Sequence, residues 1–183
     1  MRGMEQNCMR LTRVDVHNDK DLAKKVKELY RLAFPKEERV AWPLLWYNTK
    51  RKDIALTAYL DEELFCGFTV SVTMDGLCYI LFLAVAESQR GKGYGSQILQ
   101  NLQESYEALG LNVEVLDPTA SNYLQRKRRF AFYEKNGFYD TGYHVWEVGG
   151  KFRVLSTRKD LPMEQVKQVF RKLTLGFLKA RTD

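Results

Sequence analysis

The stretch "SQRGKGYGSQIL", residues 88–99, sets Gly91, Gly93 and Gly95 at alternate positions directly behind the longest apolar run of the chain. A turn alone needs one or two glycines. Three point to a backbone that a ligand must approach closely. Bare amides ahead of a helix, together with the positive end of its dipole, attract anions. Ser96 adds a hydroxyl, and Arg90 and Lys92 add charge. The chemistry predicted is the holding of a phosphate or pyrophosphate. The Walker pattern G-x-x-x-x-G-K-[ST] is absent, and the spacing G-x-G-x-G behind antiparallel strands does not match the dinucleotide fingerprint.

A second candidate is Glu114. In "LNVEVLD" it alternates with Val113 and Val115, so it faces away from them and can offer a lone carboxylate, acting through water. The net charge of +6 and pI near 9.2 favour an anionic ligand without choosing one. Part of that charge lies in the cluster Arg126–Arg129, which on its own reads as a solvated helix face. No RNA-recognition aromatics, helix-turn-helix or zinc finger accompany it, so nucleic acid is not the expected partner. Three cysteines, Cys8, Cys66 and Cys78, lack C-x-x-C spacing, and only His17 and His144 could join them, so no metal site is expected. Reduced thiols, no apolar run of membrane-spanning length and no apolar leader in the first residues give a cytoplasmic expectation.

The elements that must position these groups follow from periodicity. Asp19 or Asp21 caps a helix in which Leu22, Val26, Leu29, Leu32 and Ala33 recur at helical spacing, closed by Pro35. A short helix is expected over Leu44 to Thr49. Turn signals at 61–63 and 75–76 then cut the next segment into a three-stranded meander, whose last strand, Leu77 to Ala86, is apolar on both faces and belongs in the sheet centre. A helix from Ser96 to Leu109 stopped by Gly110, a short strand over 111–117 and a second helix ending at Asn136-Gly137 follow. A hairpin joined at Gly149-Gly150 and an amphipathic helix from Met163 to about Leu178 complete a mixed α/β sheet with helices on both faces.

These residues resemble a known family. Arg90-Gly91-Lys92-Gly93-Tyr94-Gly95 is similar to the R/Q-x-x-G-x-G/A acyl-CoA loop of the GNAT N-acyltransferases. "FLAV" before it and "FYEKNGF" after it are similar to that family's fourth strand and closing helix–strand motif. The resemblance covers about Leu11 to Thr157. It implies a GNAT-type fold of about seven strands, with residues 1–183 forming one domain and 161–183 a C-terminal helical extension.

The resemblance also implies roles. Leu83, Ala84 and Val85 would pair with the pantetheine arm of acetyl-CoA, and the amides of Gly91 to Ser96, Tyr94 and Gly95 included, would hold its pyrophosphate. Asn122 would meet the pantetheine, and Lys135 or the Arg126–Arg129 cluster the 3′-phosphate. Tyr133 aligns with the family's general acid. The acid that some relatives carry on the fourth strand is missing from "CYILFLAV"; Glu114 is the candidate base, with a structural ion pair or an amine-binding role as the alternatives for it. Glu37, Glu38 and Trp42, after the first helix, would suit a cationic amine. The expected activity is acetyl transfer from acetyl-CoA to a primary amine, with a small molecule as the expected acceptor and a homodimer left open. The alternatives are a catalytically silent CoA-binding sensor or partner module and an RNA-associated protein using the Arg126–Arg129 face.

Overall fold

The computed structural model describes residues 11–147, 150–174 and 181–182. Asp19 opens the first long helix, α1 (Lys20–Ala33), its carboxylate accepting from the amides of Asp21 and Leu22 at 2.9 Å each. The 3-10 turn Lys36–Glu38 and helix α2 (Trp42–Asn48) follow. The meander is present as β2 (Ile54–Asp61), β3 (Leu64–Met74) and β4 (Leu77–Val85). Ahead of α1 lies a strand that sequence reading passes over, β1 (Thr12–Asp15), a four-residue, largely exposed edge strand paired antiparallel with β2.

After the glycine turn come α3 (Tyr94–Gln103), β5 (Ala108–Glu114), α4 (Tyr123–Lys135), β6 (Tyr139–Glu147), β7 (Gly150–Ser156) and α5 (Met163–Thr174). A two-residue strand, β8 (Arg181–Thr182), adds to β6. The sheet order is β1-β2-β3-β4-β5-β7-β6-β8. Among the described residues only the β4–β5 pair is parallel, because a helix crosses over between those strands. Cys8, Gly149 and the end of the expected last helix, Leu175 to Leu178, lie outside the described residues.

The expected helix from Ser96 to Leu109 is too long. The helix ends at Gln103, and Leu109 lies in β5. Leu109 fits a helical spacing with Leu102 and Tyr106, but it fits strand alternation with Leu111 and Val113 equally well, and the sheet takes it. Gly110 is not a helix stop. A Cβ there would lie 2.7 Å from Tyr79 Cδ2, so its bareness lets the Tyr79 ring lie against the strand.

Alternation along the strands feeds two cores, one on each face. Ile54, Leu56, Ala58, Tyr79 and Val154 face α1, α2 and α5, while Tyr59, Cys78, Ile80, Leu111 and Leu155 face α3 and α4. Val166, Val169, Phe170 and Leu173 of α5 are fully or almost fully buried in the first core, with Phe170 edge-on to Tyr79 at 5.7 Å. No described helix is long and apolar enough to cross a membrane, and no metal-sized group of His, Cys, Asp or Glu gathers among the described residues.

Candidate active site

The centre of the sheet comes apart where it matters. Parallel pairing of β4 with β5 runs from Leu77–Ala108 to Ile80–Leu111 and stops, although β4 continues to Val85 and β5 to Glu114. The register with β3 shifts at the same place: Val70 faces Phe82 while Ser71 faces Ile80, which leaves Leu81 as an extra residue on β4. Such a bulge bends its strand and ends pairing. β5 meanwhile keeps its pairing with β7 to Glu114–Phe152. The two strands therefore diverge, and the β5-facing backbone edge of residues 81–85 has no strand partner among the described residues.

A cleft of about 790 Å³ occupies this gap. Leu83, Ala84, Val85 and Arg90 line one wall, Asn112, Glu114 and Asn122 the other, and Tyr133 also faces it. Its rim includes the segment after α1, with Glu37 and Glu38. Phe82 of β4 packs edge-on to Phe34 at 4.9 Å and Tyr30 at 5.1 Å, a rigid aromatic support under that rim.

The glycine turn lies at the end of β4. Gly91 and Gly93 have φ of +77° and +88°, a region that residues with a Cβ rarely enter. A Cβ on Gly91 would meet nothing within 4 Å, and one on Gly93 only the Gln97 side-chain nitrogen at 4.0 Å. The space outside the turn is open, and protein packing does not account for these two glycines. Gly93 caps α3 without a side chain, so the first amides of the helix have no intrahelical acceptor. Gly95 differs, since a Cβ there would lie 3.1 Å from Phe132 Cζ of α4. Lys92 Nζ reaches Gln89 Oε1 at 3.0 Å, and Arg90 Nε donates to the Val85 carbonyl at 3.4 Å. Tyr94 turns inward and donates to Asp61 Oδ2 at 2.6 Å, which pushes its phenol up to about 12 and ties α3 to the end of β2. The unpaired strand edge, open glycine turn and free helix amides fit a long, amide-rich ligand ending in phosphates, as acetyl-CoA is.

On the opposite wall Glu114 is not a lone carboxylate, as alternation alone suggested. Its Oε1 accepts from Asn122 Nδ2 at 3.0 Å and lies 3.2 Å from Arg126 Nε, and its Oε2 accepts from Arg129 Nη1 at 2.5 Å. Asn122 stands at the N-cap of α4 but does not cap it, because its side chain bridges Glu114 and Arg126. The basic cluster is therefore divided: Arg126 and Arg129 turn inward to Glu114, and Lys127 and Arg128 are exposed.

Tyr133 is 8% exposed, with its ring 5.2 Å from Phe132 and 5.5 Å from Phe138. Burial pushes the phenol up to about 12, against the pull of Arg129, so it is protonated at neutral pH. Lys135 is exposed at the end of α4, one turn beyond the Phe132 that packs on Gly95. Trp42 does not line the cleft. Its ring packs at a tilt, 6.1 Å from that of Tyr30 and 5.9 Å from that of Trp46. Sequence reading missed Asn112, whose amide oxygen accepts from the Tyr79 hydroxyl within the cleft wall. The signal was available: a polar residue two positions before Glu114, hence on the same face of an otherwise apolar strand.

Residues 51–140 match the family model described as Acetyltransferase (GNAT) domain. No curated protein sequence matches the chain. Among solved structures, a protein of Bacteroides thetaiotaomicron described as an acetyltransferase from the GNAT family superposes with a TM-score of 0.70 at 23% identity, covering 93% of this chain and 99% of that one. Aminoglycoside 6'-N-acetyltransferase complexed with coenzyme A gives 0.64 at 18% identity, covering 80% and 94%. The ribosomal-protein-S18-alanine N-acetyltransferase of Escherichia coli gives 0.56 at 15%, covering 80% and 92%. Likenesses at these identities show a shared fold.

Proposed function

The chain belongs to the GNAT acetyltransferases, and from that premise we propose that it moves the acetyl group of acetyl-CoA onto a primary amine by direct attack on the thioester. The observation that carries this reading is the end of β4–β5 pairing at Ile80–Leu111, with the open glycine turn immediately beyond it. The bared edge over Leu83, Ala84 and Val85 pairs with the amides of the pantetheine arm as an added strand would. The amides from Gly91 to Ser96 hold the pyrophosphate, with Arg90 and Lys92 supplying charge. Lys135 serves the 3′-phosphate.

When bound, acetyl-CoA supplies an activated acyl carbon in the gap between the strands. Tyr133 presents a protonated hydroxyl to the thioester sulfur, the atom on which negative charge collects as the bond to carbon breaks. Glu114, its charge balanced by two guanidinium groups, fixes the facing wall and holds Asn122 in place. We assign Glu114 this positioning role in place of the base role, because its lone pairs are already engaged. The acceptor is a cationic small molecule entering over Glu37 and Glu38. Aminoglycosides and polyamines fall within this class, and an aminoglycoside acetyltransferase is among the structural neighbours.

The test is amine-dependent release of free thiol from acetyl-CoA, run beside calorimetry for acetyl-CoA. Micromolar binding with thiol release on at least one of spermidine, tyramine or kanamycin is expected. A second reading, a silent CoA-binding module, draws on the absence of an acid from β4 and the engaged state of Glu114. Tight binding with no release on any of these amines would favour it.

A further inference from the structure

The cleft holds two partly buried carboxylates in opposite circumstances. Glu114 is bonded to Arg126, Arg129 and Asn122. The carboxylate of Glu38, on the rim formed by the segment after α1, makes no hydrogen bond or ion pair with any described residue, although Glu38 is only partly exposed and lines the cleft. Its neighbour Glu37 is exposed. The backbone beside Glu38 is held firmly. The Tyr30 hydroxyl donates to the Val40 carbonyl at 3.1 Å and accepts from the Val40 amide at 2.8 Å, and both groups are buried. Tyr30 in turn packs against Phe82, next to the bulge where β4 leaves β5. Arg39 donates to the Arg31 carbonyl at 3.3 Å and anchors the same segment to α1. A carboxylate without a partner, on a braced segment facing the gap, is a poor structural element and a well-placed proton acceptor.

The groups that act on Glu38 come from three elements. Burial is the largest influence, followed by the negative charge of Glu114 on β5, and both raise its pKa. Arg129 and Arg126 of α4 lower it, and Glu37 beside it raises it slightly, for a net upward direction. Glu114 is held by two guanidinium groups while the Glu38 carboxylate faces the cleft unpaired, so the two like groups are placed for different roles.

We infer that Glu38 accepts the proton of the incoming ammonium group and so is the catalytic base of this site. The assignment rests on the transferase reading above. The ammonium group gives one proton to the Glu38 carboxylate. The freed nitrogen lone pair then forms the bond to the acyl carbon, and the carbon–sulfur bond breaks with its electron pair left on sulfur. A second nitrogen proton passes to that sulfur along the Tyr133 hydroxyl, which gives its own hydrogen and takes the nitrogen's. Glu38 returns its proton to solvent, so the products are the amide, the free thiol of CoA and one proton.

The experiment compares wild type with Glu38→Gln, using acetyl-CoA with spermidine, tyramine and kanamycin as acceptors. At pH 7 kcat/KM falls by about 100-fold or more, the range of a lost general base. The acidic limb of the kcat/KM profile disappears. Activity recovers as pH rises toward about 10, where a growing share of the amine is already neutral. Acetyl-CoA affinity, read by calorimetry, stays within twofold. In ligand-free protein labelled at the glutamate δ-carbon, one carboxyl signal titrates above the ordinary range and is missing from the variant. An ordinary midpoint for Glu38, or a variant that keeps the acidic limb and the wild-type rate, would overturn the assignment alone. Failure of wild type itself to release thiol on all three amines would overturn the transferase reading, and the assignment with it.

Discussion

Replacing Tyr133 by Phe removes one oxygen from the cleft and little else. The ring is held between Phe132 and Phe138, and its hydroxyl makes no hydrogen bond to a described residue, so no internal bond is lost. Stability should change by less than about 0.5 kcal/mol, since the usual cost of an unmade hydroxyl bond does not arise. The kinetic effect follows from the phenol being pushed up to about 12. Complete proton transfer from it to a thiolate whose conjugate acid has a pKa near 8.5 is uphill by about 5 kcal/mol. In the proposed reaction the hydroxyl therefore acts through a charge-assisted hydrogen bond to sulfur and by relaying a proton. A hydrogen bond to a charged group is worth about 1.5–3 kcal/mol, so acyl transfer should slow by roughly 10- to 150-fold. Single-turnover thiol release with enzyme in excess reads that step without product release. Acetyl-CoA affinity should be unchanged, because its phosphates and amide arm are held elsewhere. A variant within threefold of wild type in single turnover would remove Tyr133 from the reaction.

Gly93→Val imposes a side chain on a residue with φ of +88°, a strain of about 1–2 kcal/mol. It also crowds the open amides, so calorimetry should find acetyl-CoA binding weakened by about 100-fold or more while the circular dichroism spectrum is retained. Asp61→Asn weakens the acceptor of the Tyr94 hydroxyl and should loosen α3 at the turn, raising the acetyl-CoA Kd roughly 5-fold with little change in single-turnover rate. Glu38 has a raised folded pKa, so its contribution to stability is fully present below the unfolded value of 4.5 and is lost as pH rises through the folded value. Glu38→Gln should therefore raise Tm at pH 7, and the difference should close on acidification; a lower Tm at pH 7 would contradict the burial argument. Asp53 runs the other way. Burial pushes its carboxyl up, but hydrogen bonds from Arg51 and Lys172 outweigh that and hold it below 3.8. Its contribution is present above the unfolded value and lost as pH falls through the folded one, so Asp53→Asn should lower Tm at pH 7 by an amount that shrinks toward pH 3.

The fold was legible wherever one periodicity prevailed. The meander declared itself by its two turns, and α1 by its Asp19 cap and apolar stripe. The boundary between α3 and β5 was not, because Leu109 satisfies both a helical and a strand repeat, and because Gly110 reads as a helix stop when its role is to admit the Tyr79 ring. β1 escaped because four mostly exposed residues carry too little pattern. At the site, the glycine spacing marked the turn itself. It could not separate Gly91 and Gly93, which take positive φ facing open space, from Gly95, which makes room for Phe132. The partners of Glu114 lie 8, 12 and 15 residues further along the chain, a coupling that depends on how α4 docks and that no local pattern encodes. The contrast between an engaged Glu114 and an unpartnered Glu38 emerges only in three dimensions.

The proposed function stands or falls on whether the gap between β4 and β5, closed by the glycine turn, holds acetyl-CoA. Titration of isotopically labelled protein with acetyl-CoA, followed through its backbone amide resonances, tests this directly. The largest shifts are expected on Leu83 and Val85 of the bared strand edge and on the amides from Gly91 to Ser96. Shifts absent from both segments, or gathered instead at the basic groove of Arg13, Lys50 and Lys52 beside β1 and β2, would contradict it.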